Sequence, residues 1–271
     1  MSLSRPLTAA FSAALLLTTA ACISDPNTGE QRVSRAAIGA GVGAVGAAIA
    51  WLAMPAGASA AASRDSGSFA TLYGRVLANP KAPWLIGGVA VEGMFFYGLF
   101  PYMGELLLAT ARPAGGSIAA VTGVVLGAFG IGGLLYAFGV RLFLRLFGVR
   151  RMCLIGSGAA AVCYAALAVV PTWWLAALAM FVAGVSFYML HNSMQTEATE
   201  LAPSARGSAV ALFACGFFVG QGLGPLVFGG LLHALGPQVA LVSVAAAIVV
   251  LGRVMVTRVI DRPRVATVVA G

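Results

Sequence analysis

The chain has 271 residues, of which 60% are hydrophobic and only 9% are charged. A soluble domain carries about 25% charged residues, so this composition cannot build a surface that faces water. It excludes a soluble enzyme, a disordered protein and a disulfide-stabilised domain, and it predicts a protein embedded in a membrane. The net charge of +8 is interpreted as a marker of membrane orientation, and no nucleic-acid partner is expected.

The first 22 residues have the order of a secretory signal. Arg5 precedes an apolar stretch from Leu7 to Leu17, and small residues then lead to Cys22. The apolar run that ends in small residues and a cysteine resembles a bacterial lipoprotein signal, in which the cysteine is lipidated after cleavage. We therefore predict a signal or lipoprotein-like leader over residues 1–22, with Cys22 as the candidate lipidation site.

A polar segment and a glycine-rich run occupy residues 23–54. Gly39 and Gly43 are four residues apart and Ala47 continues the row, so one helix face is nearly bare and a second helix can approach it closely. We predict one Gly-rich amino-terminal span here, and a peripheral position for it is the alternative. Together with the leader, the segment resembles the amino-terminal region of glycine-zipper lipoproteins of the bacterial outer membrane.

Six long apolar runs follow a predicted cytoplasmic loop at residues 55–83. Each run is near or above the roughly 20 residues that a helix needs to cross a bilayer. The runs cover residues 84–109, 118–140, 152–170, 173–192, 208–235 and 239–257. The predicted fold class is therefore an all-α membrane protein, with six helices over residues 84–258 and the additional Gly-rich span before them.

The connectors between these runs alternate in charge. One set carries only Arg112, whereas the other set carries eleven basic residues: Arg64, Arg75, Lys81, Arg141, Arg145, Arg150, Arg151, Arg206, Arg258, Arg262 and Arg264. Because basic loops are retained in the cytoplasm, the eleven mark the cytoplasmic side. We predict a multi-pass protein of the bacterial inner membrane whose carboxyl-terminal tail, residues 259–271, is cytoplasmic.

Three segments resemble the major facilitator superfamily of transporters. Residues 188–209, which include Leu201-Ala202-Pro203 and Arg206-Gly207, look like the loop between the tenth and eleventh helices of bacterial efflux-type members. Residues 145–151 resemble the loop that the superfamily repeats between paired helices, without its acidic member. Residues 220–230 are similar to the antiporter motif, a helix-packing motif whose members here are Gly220, Gly224, Pro225, Gly229 and Gly230.

The resemblance covers about residues 50–271 and corresponds to the carboxyl-terminal half of such a transporter. Members of the superfamily have twelve helices in two halves, with the substrate site between the halves near the bilayer midplane. The resemblance therefore implies a six-helix facilitator-type bundle that takes a small-molecule substrate and contacts membrane lipid. A partner half or a homodimer is expected to complete it.

Glu92 is the first candidate for a proton or substrate pathway. It lies eight residues into the first of the six runs, at a depth of about 12 Å for a rise of 1.5 Å per residue. An ionised carboxylate at that depth is costly, and such residues usually face a bundle interior or an aqueous cavity. Proton or substrate binding is one interpretation, and a locally bonded packing residue is the other.

Four further residues are assigned to the same pathway. Phe96 shares the helix face of Glu92 and Tyr97 lies beside it, which suits an aromatic cavity lining as well as plain packing. Asn192 ends the fourth run, and Gln221 lies where neighbouring glycines thin a helix. His191 is interpreted mainly as a helix-end or solvated group, with proton relay as the less favoured alternative.

Five arginines and one glycine are assigned to gating or orientation: Arg141, Arg145, Gly148, Arg150, Arg151 and Arg206. Apolar residues alternate with the charges from 141 to 151, so contact with anionic lipid, a latch on the cytoplasmic side and simple membrane orientation all fit.

The sequence contains no enzyme motif. A phosphate loop, a Gly-x-Ser-x-Gly elbow and a metal-ligand spacing of the two histidines, His191 and His233, are all absent from it, so no cofactor and no metal are expected. The predicted function is proton-coupled efflux of a small molecule by a half transporter. The alternatives are a Gly-zipper lipoprotein-like structural or interaction protein and an inactive truncated transporter.

Overall fold

The computed structural model describes residues 22–24, 31–33, 68–111 and 117–260. The chain divides into two units, residues 1–64 and residues 65–271. In the first unit, strand β1 (Cys22–Ser24) pairs antiparallel with strand β2 (Gln31–Val33), and Cys22 lies opposite Val33. The predicted leader before Cys22, the Gly-rich span, residues 55–67 of the predicted 55–83 loop and the tail after 260 lie outside the described residues. The described part of that loop contains the helix Phe69–Leu77, so residues 68–83 are not one continuous loop.

The described residues of the second unit fold almost entirely into helices. Four stretches are long and apolar enough to span a membrane: Ala82–Thr110, Ile118–Leu167, Trp173–Glu200 and Arg206–Arg258. The prediction of a membrane protein built on helices is thereby confirmed for this unit. The elements are α1 (Phe69–Leu77), α2 (Ala82–Gly98), a 3-10 turn (Phe100–Tyr102), α3 (Met103–Thr110), α4 (Ile118–Leu167), α5 (Trp173–Glu200) and α6 (Arg206–Arg258).

The first stretch is broken between α2 and α3 at Pro101. Proline has no backbone N–H and cannot continue the helical hydrogen bonding, so the chain passes through the short 3-10 turn before α3 begins. The Tyr164 hydroxyl of α4 donates a 2.8 Å hydrogen bond to the Phe96 carbonyl just before the break. A side chain from α4 therefore fixes the end of α2.

Helices α4 and α6 each contain one residue that is not helical. Gly148 in α4 has φ 66° and ψ 164°, and Gly236 in α6 has φ 77° and ψ 168°. Glycine reaches this region because it has no Cβ. The break predicted at Gly236 is found in the structure, where Gly236 is the non-helical residue. The connector expected over residues 141–151 does not, because those residues are helical apart from Gly148 and their Leu, Phe and Arg side chains are compatible with a helix.

Replacing Gly148 with alanine is expected to destabilise the protein by about 1–3 kcal/mol, the usual cost of a strained backbone conformation. An added Cβ at Gly148 meets open space, so the cost comes from the backbone and not from a clash. Gly158→Ala is the matched control, since Gly158 is also in α4 and also open, but has no positive φ. Thermal unfolding in detergent checks the pair, and equal midpoints would contradict the assigned strain.

Helices α2 and α6 touch through their backbones. A Cβ on Gly220 would overlap the carbonyl of Ala90, and a Cβ on Gly224 would lie 3.0 Å from the Cα of Gly98. Small residues at such a crossing let two membrane helices approach without side chains between them. This contact sets the position of Glu92, which lies on α2 between Ala90 and Gly98.

Candidate functional site

A buried carboxylate and an imidazole form a pair in the second unit. The Nδ1 atom of His191 on α5 lies 2.7 Å from Oε2 of Glu92 on α2. The Glu92 side chain is fully buried and the His191 side chain is 17% exposed. The second carboxylate oxygen, Oε1, has no hydrogen-bond partner among the described residues. The pair is therefore a polar site with unused hydrogen-bonding capacity inside an apolar bundle.

Aromatic rings surround the pair. We call Phe96, Tyr97, Phe187, Phe213 and Phe217 the aromatic cluster. The His191 ring stacks on Phe187 at a centroid distance of 5.2 Å and lies 5.2 Å from Phe213 and 5.0 Å from Phe217. Phe187 also contacts Phe96 at 5.0 Å and Tyr97 at 5.5 Å. The rings thus place the Glu92–His191 hydrogen bond in a largely aromatic surrounding.

The spacing within each helix explains how the site assembles. Glu92 and Phe96 are four residues apart on α2, and the same spacing separates Phe187 from His191 on α5. Phe213 and Phe217 have this spacing on α6. Residues four apart share a helix face, so each helix presents one adjacent pair of side chains to the same point. At Gly93 the backbone of α2 packs directly on α6, since a Cβ there would overlap the Phe217 carbonyl. This close approach brings Phe217 next to the pair.

The pair can hold or release a proton. A hydrogen bond between the two groups exists both when the carboxylate faces a charged imidazole and when a protonated carboxyl faces a neutral one. Both states have a net charge of zero, which suits an apolar interior. Adding or removing a proton leaves a net charge at the site, and that charge is costly until water or a counter-ion reaches it.

The structure brings some of the predicted pathway residues together and leaves others apart. Phe96 and Tyr97 join Glu92 in the cluster around His191. Asn192 is half-buried on α5 and lies near the Tyr136 hydroxyl, whose hydrogen bond is to Met152 Sδ at 3.5 Å. Gln221 is half-buried on α6, and its backbone nitrogen lies 3.1 Å from the position of a Cβ on Gly93.

The helix-packing residues also differ in their surroundings. Gly220 and Gly224 lie at the contact with α2, and the carbonyl of Pro225 accepts a 3.0 Å hydrogen bond from the Tyr102 hydroxyl. A Cβ on Gly229 would overlap that same tyrosine, whereas Gly230 faces open space. Four of the five motif residues thus contact the first membrane-spanning stretch.

The basic residues of the predicted gating group do not form one cluster. Arg150 donates hydrogen bonds to the carbonyls of Val256 and Ile260, at 2.9 and 3.5 Å, at the end of α6. Arg206 pairs with Glu200 at 3.3 Å on the exposed surface. Gly148, Arg150 and Arg151 line a cavity of about 480 Å³ with Glu197. Arg141 and Arg145 are exposed on α4.

His191 is the residue of the candidate site whose contact with Glu92 is not expected from the sequence. The sequence predicts that the fourth apolar run ends at Asn192, next to His191, whereas α5 continues to Glu200. The helix is longer because the polar residues 195–200 continue it without a glycine or proline. The four-residue spacing of Phe187 and His191 was the available signal that this imidazole faces the bundle.

The described residues contain no group of three His, Cys, Asp or Glu side chains that can hold a metal ion. Neither of the cavities described here opens onto the Glu92–His191 pair, because one lies beside Gly148 and the other between α2 and the end of α6. The pair is therefore an internal site in this conformation.

Comparison with known proteins gives one match. The family model of the Major Facilitator Superfamily matches residues 85–270, which is more than half of the chain and includes both Glu92 and His191. No curated protein and no solved structure matches the chain. Members of the superfamily are transporters and not enzymes. The chain therefore belongs to the Major Facilitator Superfamily, as a multi-pass transmembrane transporter.

Proposed function

We propose that the chain is one half of a proton-coupled efflux transporter, in which Glu92 and His191 carry the coupled proton. The observation that supports this most is the 2.7 Å contact between a fully buried carboxylate and an imidazole within the spans. Ionisable groups at such depth are costly and mark proton or ion pathways in membrane proteins. The aromatic cluster, Asn192 and Gln221 are proposed to contact the small-molecule substrate.

The proposed coupling follows from the net charge of the pair. While the site is closed to water, its neutral states, which carry one proton between the two groups, are favoured. When the site opens to an aqueous phase, the proton can leave and the remaining charge is hydrated. Substrate bound beside Oε1 of Glu92 then stabilises the deprotonated pair, so substrate and proton exchange in opposite directions.

Six membrane spans are proposed for residues 84–258. Helices α4 and α6 have 50 and 53 residues, which would extend about 75 and 80 Å as straight helices, more than twice the roughly 30 Å of a hydrocarbon core. The glycines at 148 and 236 would divide each into two spans. With Ala82–Thr110 and α5, the count is six, half of the twelve in a complete member of the family. A partner half or a second copy would supply the rest.

The cytoplasmic face is proposed to be the one that carries the basic residues. Lys81, Arg141, Arg145, Arg150, Arg151, Arg206 and Arg258 lie near helix ends or glycine breaks on the side assigned by the positive-inside rule. Arg150 would act there as a latch, since it holds the end of α6 through two carbonyls. The carboxyl terminus is then cytoplasmic, in a bacterial inner membrane.

Proton movement in sealed vesicles tests the proposal. Inverted bacterial membrane vesicles that contain the chain are acidified by respiration, and a panel of dyes and antimicrobial compounds is added while acridine orange reports the proton gradient. We expect at least one compound to release protons with the wild-type chain. Glu92→Gln is expected to lower that release at least tenfold, because the amide cannot exchange a proton.

Glu105→Gln is the matched control, since Glu105 is an exposed acid near the start of α3 in the same stretch. We expect this variant to release protons as the wild type does. Proton release by Glu92→Gln at the wild-type rate would remove Glu92 from the coupling. Cross-linking of the active sample into a dimer of this chain distinguishes a second copy from a separate partner half.

A further inference from the structure

An apolar groove runs along the outside of the bundle between α2 and the last part of α6. It encloses about 560 Å³. On α2 it is lined by Trp84, Gly87, Val91 and Phe95, which recur on one helix face, and on α6 by Val250 and Val254, one turn apart. Gly87 forms the floor, because a Cβ there would meet nothing within 4 Å. The groove therefore exists because a side chain is missing from α2.

The length of the groove matches one leaflet of a bilayer. Trp84 and Phe95 are 11 residues apart, which corresponds to about 17 Å along a helix. Half of a hydrocarbon core is about 15 Å. Trp84 lies at the end where α2 begins, and tryptophan is enriched where hydrocarbon meets the headgroups. The groove thus runs from a membrane surface to about the bilayer midplane.

A cation marks the surface end of the groove. The Arg258 guanidinium lies over the Trp84 ring, with Cζ at 4.9 Å from the ring centroid, and the side chain is exposed. Arg258 continues the α6 row of Val250 and Val254 at intervals of four residues. Among the described residues, Glu92, Glu197 and Glu200 form ion pairs with His191, Lys81 and Arg206.

We propose that this groove is a binding site for one anionic phospholipid, with an acyl chain along Gly87 and the headgroup phosphate at Arg258. The apolar length, the missing side chain and the terminal cation correspond to the three parts of such a molecule: a chain of one leaflet's length, its contact surface and its phosphate. The site differs from the general lipid surface because the chain is enclosed between two helices and the phosphate has a fixed donor.

Native mass spectrometry of the full chain with phosphatidylglycerol tests the site. We expect one retained phosphatidylglycerol per chain, and less retention of diacylglycerol, which has the same acyl chains and no phosphate. Gly87→Leu is expected to remove the retained lipid by filling the groove. Gly130→Leu is the matched control, since Gly130 is an exposed glycine of α4 that also has nothing within 4 Å of an added Cβ.

Arg258→Gln is expected to weaken phosphatidylglycerol retention about fivefold, which is typical of one basic side chain at a membrane surface. Arg253→Gln also removes one positive charge from α6, but Arg253 does not lie in the row of Val250 and Val254. This variant is expected to leave phosphatidylglycerol retention unchanged. Equal retention by the Gly87→Leu and Gly130→Leu variants would overturn the proposal. So would a dimer that Gly87→Leu converts to a monomer, because a second copy would then occupy the groove.

A second measurement covers the case in which Gly87→Leu does not fold. Trp84 fluorescence in the wild type, obtained by difference from a Trp84→Phe variant, is quenched with dibrominated phosphatidylglycerol. We expect unbrominated phosphatidylglycerol to displace the brominated lipid and so restore the Trp84 fluorescence. Diacylglycerol is expected to restore it much less. Relief by the two lipids to the same extent would contradict a phosphate-dependent site.

Discussion

Replacing His191 with alanine is expected to lower the free energy of unfolding by about 3–5 kcal/mol, the cost of removing one partner from a buried ion pair. The alanine leaves the Glu92 carboxylate without a partner for either oxygen and opens a void between Phe187 and Phe217. Equilibrium unfolding in mixed micelles measures the change. Glu92→Gln is expected to cost less, because an amide can still hydrogen bond with the imidazole.

A double-mutant cycle separates the interaction from the void. The Glu92→Gln/His191→Ala variant is expected to be more stable than His191→Ala alone, since no uncompensated carboxylate remains. Phe213→Ala serves as a packing control, because Phe213 contacts the imidazole ring and bears no polar group. If the effects of the two substitutions at 92 and 191 simply add, the stability of the site depends on packing and not on the pair.

Replacing Gly220 with leucine is expected to destabilise the protein by about 3 kcal/mol, at the upper end of the usual cost of overpacking. The first atom of the new side chain would already overlap the Ala90 carbonyl on α2, and backbone atoms cannot move aside as a flexible side chain can. The separation of α2 from α6 would also displace Glu92 from His191. The thermal unfolding midpoint and the elution profile of the detergent-solubilised protein measure the effect.

Gly222→Leu is the control for this substitution. Gly222 lies two residues further along α6, is exposed and has nothing within 4 Å of an added Cβ. Leucine there is expected to leave the unfolding midpoint unchanged or slightly higher, because leucine favours a helix more than glycine does. Equal destabilisation by the two variants would show that the α2–α6 contact is looser than the backbone distances indicate.

The sequence alone predicts the membrane class, the apolar runs and one of the two glycine breaks. Gly236 was identified because Pro237 follows it, and the pair is a strong turn signal. Gly148 has no such neighbour and is one of 35 glycines. Its positive φ depends on how the flanking helical parts pack, which the local sequence does not encode, so a whole connector was expected where one residue suffices.

The candidate site was only half predictable. Glu92 was identified because an acid within an apolar run is conspicuous, and the four-residue spacing placed Phe96 beside it. Its partner is 99 residues away along the chain, and no periodicity relates two helices to each other. The decisive information is the approach of α2 to α6 and α5, which depends on glycine contacts such as Gly93 with Phe217.

The two glycine breaks have a consequence for how the bundle can move. Each is a connector of a single residue, so the helical parts on either side of Gly148 and of Gly236 have no slack between them. They are coupled as hairpins, and relative motion within a hairpin would require the helix ends themselves to unwind. Relative motion of neighbouring parts of the bundle is therefore expected at the longer connectors, among them residues 168–172 and 201–205.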